Sequence, residues 1–117
     1  MPPASLGFLH TGQEVYYYDF TANTKTLLGP FINANDIAHT SNKMWLYDTN
    51  TIYEWNITLN PWTATFNRII SMPPSVNLGN GLCAKNDTIL ISSNYSIVPE
   101  QIIEIDITSS LAVVNNI

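Results

Sequence analysis

Apolar residues in this chain fall in short runs separated by Asn, Thr, Pro and Gly. No segment repeats them at i, i+3, i+4 and i+7 over three turns, and β-branched and aromatic types fill the runs, so helix is not expected. Strand-like runs at close spacing, punctuated by turn residues, are the pattern of a sandwich, barrel or propeller. The predicted fold class is all-β.

The runs also repeat. Val15-Tyr16-Tyr17-Tyr18-Asp19-Phe20-Thr21 is followed by Leu27, Ile52-Tyr53-Glu54-Trp55-Asn56-Ile57-Thr58 by Phe66, and Ile102-Ile103-Glu104-Ile105-Asp106-Ile107-Thr108 by Leu111. Each is a strand ending in Asp or Asn, one apolar residue and Thr, then a polar turn and another strand. Asp, Asn and Thr side chains can cap backbone groups at such turns. Upstream, residues 35–39 recur as 80–84 and 43–47 as 88–92, both 45 positions on, whereas the turns at Asn56 and Asp106 lie 50 apart. About five extra residues are therefore expected between the second and third strands of the last unit, with residues 94–99 as the loop.

Three units follow, spanning about 5–33, 34–72 and 76–117. Strands are predicted at roughly 36–40, 43–48, 51–57 and 62–70 in the middle unit, and at roughly 81–85, 88–93, 101–107 and 110–115 in the last. The first unit supplies only about 5–10, 14–20 and 25–31 and lacks its first strand. Met72-Pro73-Pro74-Ser75 and Leu28-Gly29-Pro30 read as connectors, since Pro stops ladder pairing.

Tandem four-stranded antiparallel units of this period resemble β-propeller blades, two complete and one incomplete. The Gly-Gly of kelch repeats and the Trp-Asp of WD40 repeats are absent, so the resemblance is to the architecture. It implies a ring finished by further units, because a propeller usually closes with at least four blades. The missing first strand leaves an edge near residues 5–10, and unpaired edges are normally covered. A protein partner is expected there, either another copy of this chain or another subunit.

Charge narrows the partners. Charged residues make up 11% of the 117 residues, well below the usual ~25%. Asn, Thr and Ser must carry the polar surface, which suits contact with other chains. Four Lys and Arg stand against nine Asp and Glu, with no two basic residues adjacent. Nucleic-acid and anionic-membrane binding need clustered positive charge and are not expected. No apolar run approaches the ~20 residues of a membrane-spanning helix. The N-terminus lacks the basic and apolar stretches of a signal peptide.

Candidate chemistry is sparse. His10 and His39 are the only histidines, and with Asp36 they are the one combination that suggests a metal. Nothing fixes their separation, and neither metal nor cofactor is expected. Cys83, the single cysteine, aligns with Ala38 and reads as a small residue at a crowded inner strand. No Gly-x-Ser-x-Gly elbow is present. Glu54 and Glu104 hold equivalent positions on different units, too far apart for paired acid–base work, and read as solvent-facing. Residues 78–81 form a Gly-containing turn with no helix after it, unlike a phosphate loop.

Aromatics are the most suggestive group. Tyr16, Tyr18, Tyr53 and Trp55 alternate onto one face and read as core between units. Tyr17, Tyr47 and Trp62 are the candidates for ligand or partner contact, as rings that anchor interfaces or stack on sugars. Asn56, Asn86 and Asn94 each begin an N-glycosylation pattern, with Asn94 expected to be the accessible one. The leading expectation is a non-catalytic structural or interaction module that assembles with copies of itself or partner chains. In style it resembles accessory proteins of virus or phage particles, such as capsid decoration or tail components. The alternative is a carbohydrate- or peptide-binding propeller fragment.

Overall fold

The computed structural model describes residues 6–10, 14–30, 35–58, 63–79 and 81–117. These form strands and turns only, in three antiparallel sheets. The first sheet runs β1 (Leu6–His10), β2 (Glu14–Asp19), β3 (Thr24–Pro30). The second runs β4 (Asp36–His39), β5 (Lys43–Tyr47), β6 (Thr51–Thr58), β7 (Thr63–Ser71). The third runs β8 (Cys83–Ala84), β9 (Ile89–Asn94), β10 (Gln101–Asp106), β11 (Val113–Asn116). Each sheet is a meander in which consecutive strands pair. Among the described residues no sheet closes on itself.

The recurring polar residues set the turns. Asp19 Oδ1 accepts from the backbone N–H of Thr21 at 2.9 Å and of Ala22 at 3.1 Å, and Asp106 Oδ1 accepts from Thr108 N at 2.9 Å. Asn23 supplies the positive φ of 56° that the first of these turns requires. Asn86 Oδ1 caps Thr88 N and Ile89 N in the same way. Asn56 departs from the pattern. Its strand continues to Thr58 past a register shift at Glu54/Trp55, and its Oδ1 accepts from Lys43 Nζ at 2.9 Å.

The sheets stack in chain order. Each sheet has a rear face toward the preceding unit and a forward face toward the following one. In the middle sheet the rear face (Met44, Leu46, Trp55, Ile57) packs with Val15 of the first sheet. Its forward face (Trp45, Tyr47, Ile52, Ile70) packs on the rear face of the last (Leu90, Ile103, Ile105, Ile107). Fully burying one such aliphatic side chain is worth about 1.5–3 kcal/mol, so these two cores carry most of the stability.

A buried ion pair within the middle sheet reaches across the second junction through Arg68. Glu54 is fully buried on the forward face of the middle sheet. Its carboxylate accepts from Trp45 Nε1 at 2.9 Å, Asn67 Nδ2 at 2.5 Å and Arg68 Nε at 2.9 Å, with Lys43 Nζ at 3.6 Å. The Arg68 guanidinium then donates to the backbone carbonyls of Ile107 and, at 3.5 Å, Thr108 in the last unit. Burial alone would raise the Glu54 pKa. The hydrogen bonds from Arg68, Trp45 and Asn67 outweigh it and hold the carboxyl below its ordinary value. The expectation that Glu54 faces solvent is therefore corrected: a second unit stacked on the forward face encloses it.

Further hydrogen bonds, main-chain and side-chain, reinforce the junction. Ser71 N donates to Ser110 O at 2.8 Å and Ala112 N to Ser71 O at 2.9 Å. Leu82 N donates to Asp36 Oδ2 at 3.0 Å, and Asn42 Nδ2 to Asp87 Oδ2 at 3.0 Å. The connector between the sheets is pinned where Met72 N reaches Asn50 O at 3.1 Å and Leu78 N reaches Thr49 O at 2.7 Å.

Strand pairing corrects one detail of the repeat. Met44 pairs with Trp55, and Leu90 with Ile105. Since Trp55 and Ile105 are 50 apart, Met44 corresponds to Leu90, an offset of 46 instead of 45. The extra residue sits in the turn before β9, and four extra residues, not five, separate β9 from β10 relative to the middle sheet. A one-residue slip exchanges the faces of a strand, but the run Ile89-Leu90-Ile91 is apolar throughout and gives no alternation to fix its phase.

Candidate functional site

The corrected repeat assigns every residue of the last sheet a counterpart in the middle one. Ile52 faces the last sheet and is 0% exposed, whereas its counterpart Ile102 is 59% exposed. Ile70, paired with Ile52, is 0% exposed; Ile117, whose N–H bonds Ile102 O at 3.1 Å, is 76% exposed. Val113 lies on the same face and is also largely exposed. The last sheet thus leaves exposed, on its forward face, apolar side chains whose counterparts Ile52 and Ile70 are covered at the junction.

Cys83 belongs to this face. It pairs with Ile91 as Ala38 pairs with Trp45, so the alignment of Cys83 with Ala38 holds. Its expected burial does not: Ala38 is covered by the last sheet, and Cys83 is exposed. The same position is inside or outside according to whether a further sheet stacks on it. Glu104, the counterpart of Glu54, is partly exposed and lies 3.7 Å from Lys85 Nζ. Asn115 stands across from it where Arg68 faces Glu54.

At the opposite end, Tyr16 and Tyr18 point to the rear of the first sheet. Phe20 joins them, its ring centroid 4.9 Å from that of Tyr18. Lys25 Nζ lies 4.8 Å from the Tyr16 ring centroid, a cation–π contact. The counterpart of Phe20 in the middle sheet is Ile57, which is buried, while Phe20 is 60% exposed. Leu27, paired with Tyr16, is half exposed. Tyr16 and Tyr18 were expected in a core between units, and here they stay half-buried on an open face.

No family model matches this sequence, and no curated protein matches it.

The candidate contact residues separate. Tyr47, expected to be exposed, is buried: its hydroxyl donates to Gly79 O and accepts from Gly81 N at 3.0 Å. Burial raises its pKa. It closes the junction and is unavailable to a ligand. Tyr17 is half-buried and points forward, toward the middle sheet. Trp62 lies outside the described residues. Asn94, expected to be accessible, is buried, and its Oδ1 accepts from Asn77 N at 3.2 Å and Ser96 N at 3.0 Å. Its side chain organises the inserted loop.

A cleft of about 460 Å³ opens beside that loop, lined by Asn35, Thr49, Leu78, Gly79, Tyr95 and Glu100. Glu100 Oε1 accepts from Ser93 Oγ at 2.9 Å. A Cβ at Gly79 would stand 2.2 Å from Ser93 Oγ and 2.3 Å from Glu100 Oε1, so glycine lets this pair close over the backbone. The lining supplies hydrogen-bond donors and acceptors. His39 is exposed and near Thr40 O at 3.3 Å. Among the described residues, no three His, Cys, Asp or Glu side chains stand together as metal ligands. The side chain of His10 is outside that description.

Ile102, Ile117 and Phe20 are exposed apolar residues that the sequence analysis does not single out. The signal was present: all three are large apolar residues at repeat positions where a neighbouring unit is needed for cover.

Proposed function

We propose that the three sheets are blade-like units of a propeller-type stack, and that the chain is a non-catalytic interaction module completed by protein neighbours, copies of itself first among them. The observation that carries this reading is the exposure of Ile102 and Ile117 at positions where Ile52 and Ile70 are wholly covered. Ile102 and Ile117 sit side by side, the N–H of Ile117 on Ile102 O, and exposed apolar side chains grouped in this way mark a contact site. Decoration of a virus or phage particle is one setting for such a module, proposed on composition alone. The alternative of carbohydrate or peptide recognition through Tyr17, Tyr47 and Trp62 is weakened, because the Tyr47 ring is enclosed.

Size-exclusion chromatography with light scattering, on the full chain over a wide dilution series, tests the proposal. The expected result is a mass above that of one chain that rises with concentration. A clean monomer throughout the series overturns it.

A further inference from the structure

We infer that copies of this chain join head to tail, the open forward face of one last sheet seating on the open rear face of the next chain's first sheet. This rests on the proposal of assembly and adds its geometry. Both internal junctions obey one rule: a forward face packs on a rear face. The surfaces left open are one of each kind. Ile102, Val113 and Ile117 occupy the forward positions, while Tyr18, Phe20 and Leu27 occupy the rear ones. A second copy therefore continues the same packing, without any surface type that the fold does not already use.

Two forward faces brought together would not reproduce a packing found within the chain. A contact between two different patches is heterologous, so it extends into a ring where the rotation closes and a filament where it does not.

The test uses variants that disable one face each. Ile102→Asp, with Ile117→Asp as an independent second choice, removes the forward face; Phe20→Asp removes the rear face. All three positions are exposed, and unchanged circular dichroism checks that the variants fold. Each variant alone is expected to run as a monomer, while an equimolar mixture of Ile102→Asp and Phe20→Asp gives a dimer and nothing larger. Such a dimer forms because each partner retains the face the other has lost. If either variant alone assembles as the unmodified chain does, or if the mixture stays monomeric while the unmodified chain assembles, the head-to-tail arrangement is overturned and the assembly proposal stands. If the unmodified chain is itself monomeric, both fall.

Discussion

Replacing Glu54 by Gln tests whether the carboxylate holds the second junction. Gln keeps one carbonyl oxygen for Trp45 Nε1, but turns an NH₂ toward groups that are themselves donors, Arg68 and Asn67. Removing one partner of a buried pair costs about 3–5 kcal/mol when the other charge stays buried. Arg68 is a quarter exposed and can turn partly to water, and Gln retains some of the bonding, which places the loss at the lower end, about 3 kcal/mol. For a chain of this length that corresponds to a fall in Tm of roughly 10 °C. Urea unfolding at a fixed protein concentration measures it, since assembly would otherwise make the midpoint concentration-dependent.

The pH dependence gives an independent reading. The folded pKa of Glu54 lies below its ordinary 4.5, so its contribution is fully present above that value and is lost as the pH falls through the folded pKa. The acid limb of the stability curve should be shallower in Glu54→Gln than in the unmodified protein. A change below about 1 kcal/mol, typical of an exposed ion pair, with an unaltered acid limb would refute the buried clasp.

Two further outcomes follow from the repeat. Ile70→Ala should cost about 3 kcal/mol in urea unfolding, as a large-to-small change in a core, whereas Ile117→Ala at its counterpart position should cost less than about 0.5 kcal/mol in dilute solution; equal costs would contradict the assignment of faces. Cys83 should react readily with a small alkylating reagent in dilute solution and become protected at concentrations where chains associate, as followed by mass spectrometry; concentration-independent labelling in an associating sample would place the contact elsewhere.

Strand positions were largely legible in the sequence because turn chemistry marks their ends. Asp19, Asp106 and Asn86 cap the turns they punctuate, and the strands begin and end within a few residues of those marks. Phase was not legible where a strand lacks alternation, as in Ile89-Leu90-Ile91, and the slip of one residue passed unseen. Burial was misread at several positions where it depends on a neighbouring unit, although Trp55 is buried against the first sheet as expected. Glu54 looks like a surface residue because a lone carboxylate on a strand ordinarily faces water, and the stacking of the last sheet encloses it. Tyr47 reads as an exposed contact because it lies outside the repeated aromatic face, and Asn94 as accessible because it lies in the inserted loop. Both instead satisfy backbone groups inside the junction, a role that spacing along one strand cannot reveal. Cys83 erred in the opposite direction, for want of a following sheet.

The acceptors for Arg68 in the last unit are main-chain carbonyls. Side-chain identity at positions 107 and 108 is therefore irrelevant to those bonds, and substitutions there leave them intact so long as the chain path is kept. A joint that reads the peptide backbone lets neighbouring units drift apart in sequence while remaining mechanically compatible.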